Sequence, residues 1–115
     1  MNAYLRAVQI WPILAWAATN RQTLTYGIVG KLIGVPARGM GHLLEPIHAY
    51  CLEHRLPPLT ALVVSATTGM PGTGFNAASE VPKALQAVFS YDWLESGGAP
   101  SAEAFEMSVE KTKGN

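Results

Sequence analysis

The residues best suited to bind an anionic partner lie close together in the stretch from Thr25 to Gly41. Arg38 supplies a planar cation that can bind a phosphate or stack on a base. Tyr26 adds a hydroxyl upstream, and His42 lies one helical turn after Arg38, where it could touch a phosphate. Small residues around Arg38 would allow a backbone to approach closely, in the order Ala37-Arg38-Gly39-Met40-Gly41.

Two short helices joined by a tight turn are predicted to position these residues. Thr25 is suited to the N-cap of a helix from Tyr26 to Ile33, and Gly34 is suited to its C-terminal stop. Pro36 fits the first turn of a second helix, Ala37 to Leu44. Two helices in this arrangement form a helix-turn-helix.

This stretch resembles the DNA-binding domain of O6-alkylguanine-DNA alkyltransferases and alkyltransferase-like proteins. The motifs that carry the resemblance are Thr25-Tyr26-Gly27 and Gly34-Val35-Pro36-Ala37-Arg38-Gly39-Met40-Gly41. The similarity spans roughly residues 8–75. It implies that the second helix enters the minor groove of duplex DNA. It also implies that Arg38 fills the gap left by a flipped nucleotide and that Tyr26 helps to rotate its phosphate.

The chain departs from that family at the active site. The family's Pro-Cys-His-Arg motif aligns with Leu59-Thr60-Ala61-Leu62, so Thr60 stands at the nucleophile and Ala61 at the base. A threonine hydroxyl without an adjacent base is not activated. The segment from His48 to Leu56 looks like an insertion. The expected function is therefore DNA binding without catalysis or cofactor, with distorted or damaged DNA as the target.

The predicted fold is α+β, a mostly helical winged helix-turn-helix with a small β-hairpin wing and an added C-terminal helix. Residues 1–95 form the expected domain, and residues 96–115 form a linker and tail. Two further helical segments precede the wing: one from Tyr4 to Ala18, which Pro12 kinks or divides, and one from Pro46 to about His54. The wing is predicted as a strand from Leu59 to Val64, a turn from Thr68 to Gly72 and a returning strand from Thr73 to Phe75. A helix from Glu80 to about Tyr91, capped by Ser79, and one helical turn from Ser101 to Met107 follow it.

Charge is unevenly distributed along the 115 residues, although the net charge is zero. Residues 1–60 carry five basic and two acidic side chains, and residues 61–115 carry three basic and six acidic ones. An anionic partner would meet the first half, or the asymmetry is chance in a weakly charged chain.

The apolar run from Val8 to Ala18 is shorter than the roughly 20 residues of a membrane span and lacks a basic leader. We therefore expect a cytoplasmic protein with no membrane partner.

Other candidate sites have simpler interpretations. Cys51 lies on an apolar helical face, which favours a buried, inert thiol over a reactive one. His42, Glu45 and His48 could ligate a metal only on one helical face, and Pro46 interrupts that face, so no metal is expected. Trp11, Trp16 and Trp93 are expected in the core.

A protein-interaction module is the alternative function. Three aromatic residues near the end of one predicted helix could dock a partner or a second copy of the chain: Phe89, Tyr91 and Trp93. The acidic second half of the chain would form this surface.

Overall fold

The computed structural model describes residues 1–72, 80–95 and 97–113. Within these ranges the chain is α+β and mostly helical, with one two-stranded parallel sheet. The helices are α1 (Ala3–Thr19), α2 (Tyr26–Ile33), α3 (Met40–Leu43), α4 (Glu45–Glu53), α5 (Glu80–Ser90) and α6 (Ala102–Lys113). The strands are β1 (Leu24–Thr25) and β2 (Val63–Val64), and 3-10 helices cover Ala37–Gly39 and Leu59–Leu62.

Helix α1 runs through the middle of the fold as one continuous element. The side chain of Asn2 caps it by accepting a hydrogen bond from the Leu5 amide at 2.9 Å. Pro12 lies inside the helix on its exposed side and does not divide it. Of the three tryptophans expected in the core, Trp11 and Trp93 are buried, whereas Trp16 is 60% exposed, so the prediction is wrong for Trp16.

Both predicted ends of α2 are confirmed. The Thr25 hydroxyl accepts a hydrogen bond from the Ile28 amide at 3.2 Å, which satisfies one unpaired donor of the first turn. Gly34 ends the helix in the left-handed region with φ of 78°. The Val35 amide then donates to the Gly30 carbonyl at 2.8 Å, as in a Schellman motif. The chain therefore leaves α2 in a tight, fully bonded turn.

The segment from Ala37 to Leu44 is predicted as one α-helix, but the structure divides it into a 3-10 helix and a short α-helix. Pro36 is extended, with ψ of 148°, and precedes a 3-10 helix over Ala37–Gly39. The α-helical part, α3, covers one turn from Met40 to Leu43. Two glycines within five residues disfavour a longer α-helix, because each glycine costs about 1 kcal/mol relative to alanine. The next helix, α4, begins at Glu45 with Pro46 in its first turn, as predicted.

The predicted strand from Leu59 to Val64 is also wrong over most of its length. Leu59–Leu62 forms a 3-10 helix, and only Val63–Val64 is extended. This strand pairs in parallel with β1, matching Leu24 with Val63 and Thr25 with Val64. The run is short and apolar, and such runs do not distinguish a strand from a buried helical turn.

The predicted β-hairpin wing is only partly within the described residues. After β2, the Ser65 amide donates to the Met70 carbonyl at 2.9 Å, and Val64 forms an antiparallel bridge with Pro71. The chain therefore reverses where a turn was predicted. The expected returning strand from Thr73 to Phe75 and the expected cap Ser79 lie outside the described residues, and α5 begins at Glu80.

Helix α6 is longer than the single turn predicted from Ser101 to Met107. It continues to Lys113 and buries Phe105 and Ser108 completely. The Phe105 ring lies 6.0 Å from the Trp11 ring and 5.6 Å from the Tyr50 ring, measured between centroids. Segment 102–113, which was expected to be part of a tail, therefore completes the aromatic part of the core. No helix in the described ranges is long and apolar enough to cross a bilayer.

Glu53, at the end of α4, binds two side chains of α6 through its two carboxylate oxygens. The Ser108 hydroxyl donates to Oε1 at 2.6 Å, and the Lys111 ammonium lies 2.5 Å from Oε2. The bond from Lys111 has the larger effect and the bond from Ser108 the smaller one, and both lower the pKa of the Glu53 carboxyl below its usual value of 4.5. The carboxylate form of Glu53 is therefore the form that holds the two helices together.

We expect this contact to weaken in acid. A pKa that is lower in the folded state stabilises the fold above the unfolded pKa, and this stabilisation is lost as the pH falls through the folded value. The melting temperature of the wild type should exceed that of Glu53→Gln at neutral pH, and the difference should close as the pH falls through the lowered pKa of Glu53. Glu106→Gln, an exposed carboxylate on α6, should follow the wild type throughout. A difference that stays constant with pH would show that Glu53 acts through packing instead of charge.

Candidate nucleic-acid interface

Arg38 lies in the 3-10 helix directly after the tight turn, and its side chain is exposed. Lys31, in the last turn of α2, and His42, in α3, are exposed as well. Across the described ranges no carboxylate lies within 4.0 Å of any of these three side chains. The structure thus carries unneutralised basic groups on both sides of the turn. We call the exposed side chains of Lys31, Arg38 and His42 the basic turn.

Two other cations of the first half are committed to contacts within the fold. Arg6 Nη1 donates to the Ile33 carbonyl at 2.7 Å and to Gln9 Oε1 at 3.0 Å. Arg6 thereby satisfies a terminal carbonyl of α2, which sequence reasoning did not foresee. The Arg21 guanidinium lies 5.9 Å from the centroid of the Phe89 ring. The positive charge of the first half is therefore divided among structural contacts, the basic turn and Arg55, which is exposed just after α4.

The glycines beside Arg38 are not required by the packing of the chain. A β-carbon built at Gly41 meets nothing within 4 Å in the described residues, and one at Gly39 would touch only Val35 Cγ1, at 3.4 Å. Gly30 is the opposite case, because a β-carbon there would overlap the Val35 carbonyl oxygen. Tight packing between helix and turn therefore explains Gly30. It does not explain Gly41, which leaves an open backbone surface next to Ala37 and Arg38.

Tyr26 begins α2 and is half-buried. Its hydroxyl oxygen accepts a hydrogen bond from the Gly72 amide at 2.9 Å. This bond ties the start of α2 to the chain reversal that follows β2, across 46 residues of sequence. A phenol can accept one hydrogen bond and donate another, so the proton of Tyr26 can still serve a further acceptor.

The candidate interface thus combines a capped helix, a tight turn and a basic turn beside an open glycine backbone. The sequence matches no family model, no curated protein and no solved structure. The alkyltransferase-like resemblance of residues 25–41 therefore stays a prediction.

The positions that align with catalytic residues in the resemblance lie inside the fold. Thr60 and Ala61 are buried in the second 3-10 helix. Cys51 is buried on α4, as predicted, and burial raises the pKa of its thiol to about 11. A protonated, enclosed thiol is a poor nucleophile. In the described part of the chain, no three His, Cys, Asp or Glu side chains meet in a group that could hold a metal ion.

Proposed function

We propose that the protein binds DNA without catalysis, through the basic turn and the backbone at Gly39 and Gly41. The observation that carries this proposal is the exposed, carboxylate-free Arg38 beside a glycine whose side-chain position is open. A cation next to open backbone suits a phosphate-lined groove, because the backbone can approach while the guanidinium bonds or inserts. Ala37 adds a small exposed side chain to the same surface.

The finer proposal is a winged helix-turn-helix that approaches the minor groove. The hydrogen bond between Tyr26 and Gly72 holds the chain reversal after β2 beside the start of α2, where a wing would be useful. The remaining phenolic proton of Tyr26 is available to a phosphate oxygen. Few cations are available, so affinity for regular duplex would be low. Distorted or damaged DNA, whose bases are already unstacked, is the preferred target in this proposal.

The basic turn makes a quantitative prediction about salt. With two or three phosphates neutralised, log K should fall with log salt concentration with a slope of about −2 to −3. Fluorescence anisotropy with labelled regular, mismatched and single-stranded DNA, over a series of salt concentrations, measures this slope. Arg38→Ala should weaken binding at least about tenfold and reduce the slope by about 1.

Lys83→Ala is the matched control, because Lys83 is an exposed cation on α5. It should bind DNA like the wild type. If neither the wild type nor Arg38→Ala binds any of these DNAs at low salt, the proposal fails. It also fails if Arg38→Ala and Lys83→Ala weaken binding equally, since the interaction would then be diffuse.

Gly41→Ala separates binding from folding. The chain has room for the added methyl group, and alanine favours a helix over glycine by about 1 kcal/mol, so stability should stay equal or rise. DNA affinity should fall, because the methyl group would stand on the surface that approaches the groove. Unchanged DNA affinity in this variant would contradict close backbone approach while leaving a role for Arg38 open to its own test.

A protein-interaction surface is the second candidate, with a changed location. Trp93 is buried and its Nε1 donates to the Val88 carbonyl at 2.8 Å, so its side chain offers little surface to a partner. The exposed side of α1 instead presents Leu5 and Trp16, 45% and 60% exposed. Light scattering after size exclusion would detect a homodimer, and Trp16→Ala should reduce it if this face is the interface.

A further inference from the structure

A cavity that shares no residue with the basic turn lies where α1, α4 and the segment after α5 meet. Its volume is about 450 Å³, within the usual range of small-molecule pockets. We call it the aromatic cavity, after the five rings that line it: Trp11, Tyr50, His54, Tyr91 and Trp93. Residues Gly98 to Pro100 form another part of its wall.

The rings of the aromatic cavity hold one another in place. Tyr50 meets Trp11 edge-on with 5.6 Å between centroids, and Trp11 meets Trp93 edge-on at 5.7 Å. Tyr50 and His54 lie closer, with centroids 4.1 Å apart and planes inclined by 31°. Tyr91 and Trp93 are 4.5 Å apart. Rings fixed in this way lose little conformational freedom when they bind a ligand.

The lining of the aromatic cavity carries polar groups but no charged side chain. Among the described residues that line it, none is Lys, Arg, Asp or Glu. Burial, followed by the neighbouring Cys51, Glu53 and Tyr91, raises the pKa of the Tyr50 hydroxyl, so it remains a neutral donor. The carboxylate of Glu53 lies beside the lining, 3.4 Å from His54 Nε2, but it is already bonded to Lys111 and Ser108. An ion entering this site would therefore lose water without gaining an unpaired counter-ion. A neutral ring would gain both stacking and a hydrogen bond.

The indole N–H of Trp11 is a further donor in this region. Trp11 is 3% exposed, and within the described ranges its N–H has no hydrogen-bond acceptor. No fully enclosed polar side-chain atom lacks a partner in these ranges, so this N–H is not fully enclosed. Trp11 lines the aromatic cavity and also an adjoining one of about 360 Å³ beside Pro12. An acceptor atom on a ligand would satisfy the donor in either.

We propose that the aromatic cavity binds a small, uncharged heteroaromatic molecule of one or two rings. Its faces stack against the Tyr50–His54 and Tyr91–Trp93 pairs, and a ring or substituent acceptor receives a hydrogen bond. The aromatic walls supply the stacking energy, and the uncharged lining selects against ions. This site is independent of DNA binding and shares no residue with the basic turn.

Three probes with one ring system test the charge preference: indole, tryptamine and indole-3-acetate. Each is titrated into the ¹⁵N-labelled full chain, and the amide and indole N–H signals are followed by NMR. Indole should give a saturable shift at Trp11 and Trp93 with a Kd below about 1 mM. The cationic and anionic probes should bind at least about tenfold more weakly. Equal binding of all three, tighter binding of a charged probe, or no saturation with indole would overturn the proposal.

Variants locate the binding. Tyr91→Ala removes an exposed part of the wall and should weaken indole binding at least about fivefold. Ala99→Leu should fill the cavity and abolish binding, with its melting temperature checked against the wild type. Trp16→Phe, on the exposed side of α1, is the control and should bind indole unchanged. An unchanged Kd in Tyr91→Ala would place the probe elsewhere, whatever the behaviour of Ala99→Leu.

Discussion

Phe105→Ala is expected to lower the free energy of unfolding by about 3–5 kcal/mol. The Phe105 side chain is fully buried and contacts the aromatic rings of Trp11 and Tyr50. Truncation removes the buried ring and leaves a cavity that the fixed neighbouring rings cannot fill. Because small domains are stable by only about 5–15 kcal/mol, this one change would cost a large part of the total.

Urea unfolding followed by tryptophan fluorescence measures this loss, since Trp11 and Trp93 both lie in the core. Met107→Ala is the matched control on the same helix, because Met107 is 57% exposed. It should change the midpoint little. If Phe105→Ala and Met107→Ala are equally stable, α6 contributes little to the core, and residues 1–95 would be the folding unit that the sequence predicts.

Gly30→Ala is the second change with a large expected effect. It should lower stability, although helix propensity alone would raise it. Alanine favours a helix over glycine by about 1 kcal/mol, yet the new methyl group would overlap the Val35 carbonyl oxygen. That oxygen belongs to the backbone of the turn and cannot rotate away. The turn after α2 must shift, at a cost of about 1–3 kcal/mol of overpacking.

Thermal unfolding of Gly30→Ala beside Gly41→Ala tests this contrast with one chemical change. The first variant should melt below the wild type, and the second should melt at or above it. Since Gly30 fixes the turn that carries Arg38, DNA affinity should fall in Gly30→Ala as well. A melting temperature of Gly30→Ala equal to that of Gly41→Ala would mean that the turn is free to move.

Local signals in the sequence predicted the ends of helices well. Thr25 caps α2 and Gly34 ends it, because both effects depend on bonds within a few residues of sequence. The break before Pro46 and the helix from Glu80 have the same local origin. Cys51 was correctly placed in the interior, since the apolar face of α4 repeats at helical spacing.

Pairings between distant segments could not be read in the same way. Strand β2 pairs with Leu24–Thr25, which lie about forty residues earlier and carry no strand pattern of their own. In α6, only Phe105 and Ser108 are fully buried, and Ser108 is polar. Its partner, Glu53, is a surface residue type that sequence patterns place in solvent. Sequence patterns therefore predict a turn and a tail where the structure has a helix of 12 residues.

The two candidate sites differ in how much the sequence revealed. The residues of the basic turn are close in sequence, so Arg38 could be named from its residue type and the family resemblance, and His42 from its position one turn later. The exposure of Lys31 and the structural use of Arg6 needed the fold. The aromatic cavity takes one ring from α1, two from the end of α4 and the residue after it, and two from the segment after α5, so no single element supplies more than two of them.

The contact between Trp11 and Phe105 also has a consequence during translation, because it cannot form until α6 has been synthesised. The two rings are separated by 94 residues, and ribosomes add about 5–20 residues per second, so Trp11 waits roughly 5–20 seconds for its partner. During that interval the nascent chain carries Trp11 and Tyr50 without the ring that covers them. Translation that stops before α6 would release a chain with an uncovered aromatic surface, a substrate for chaperones and proteases.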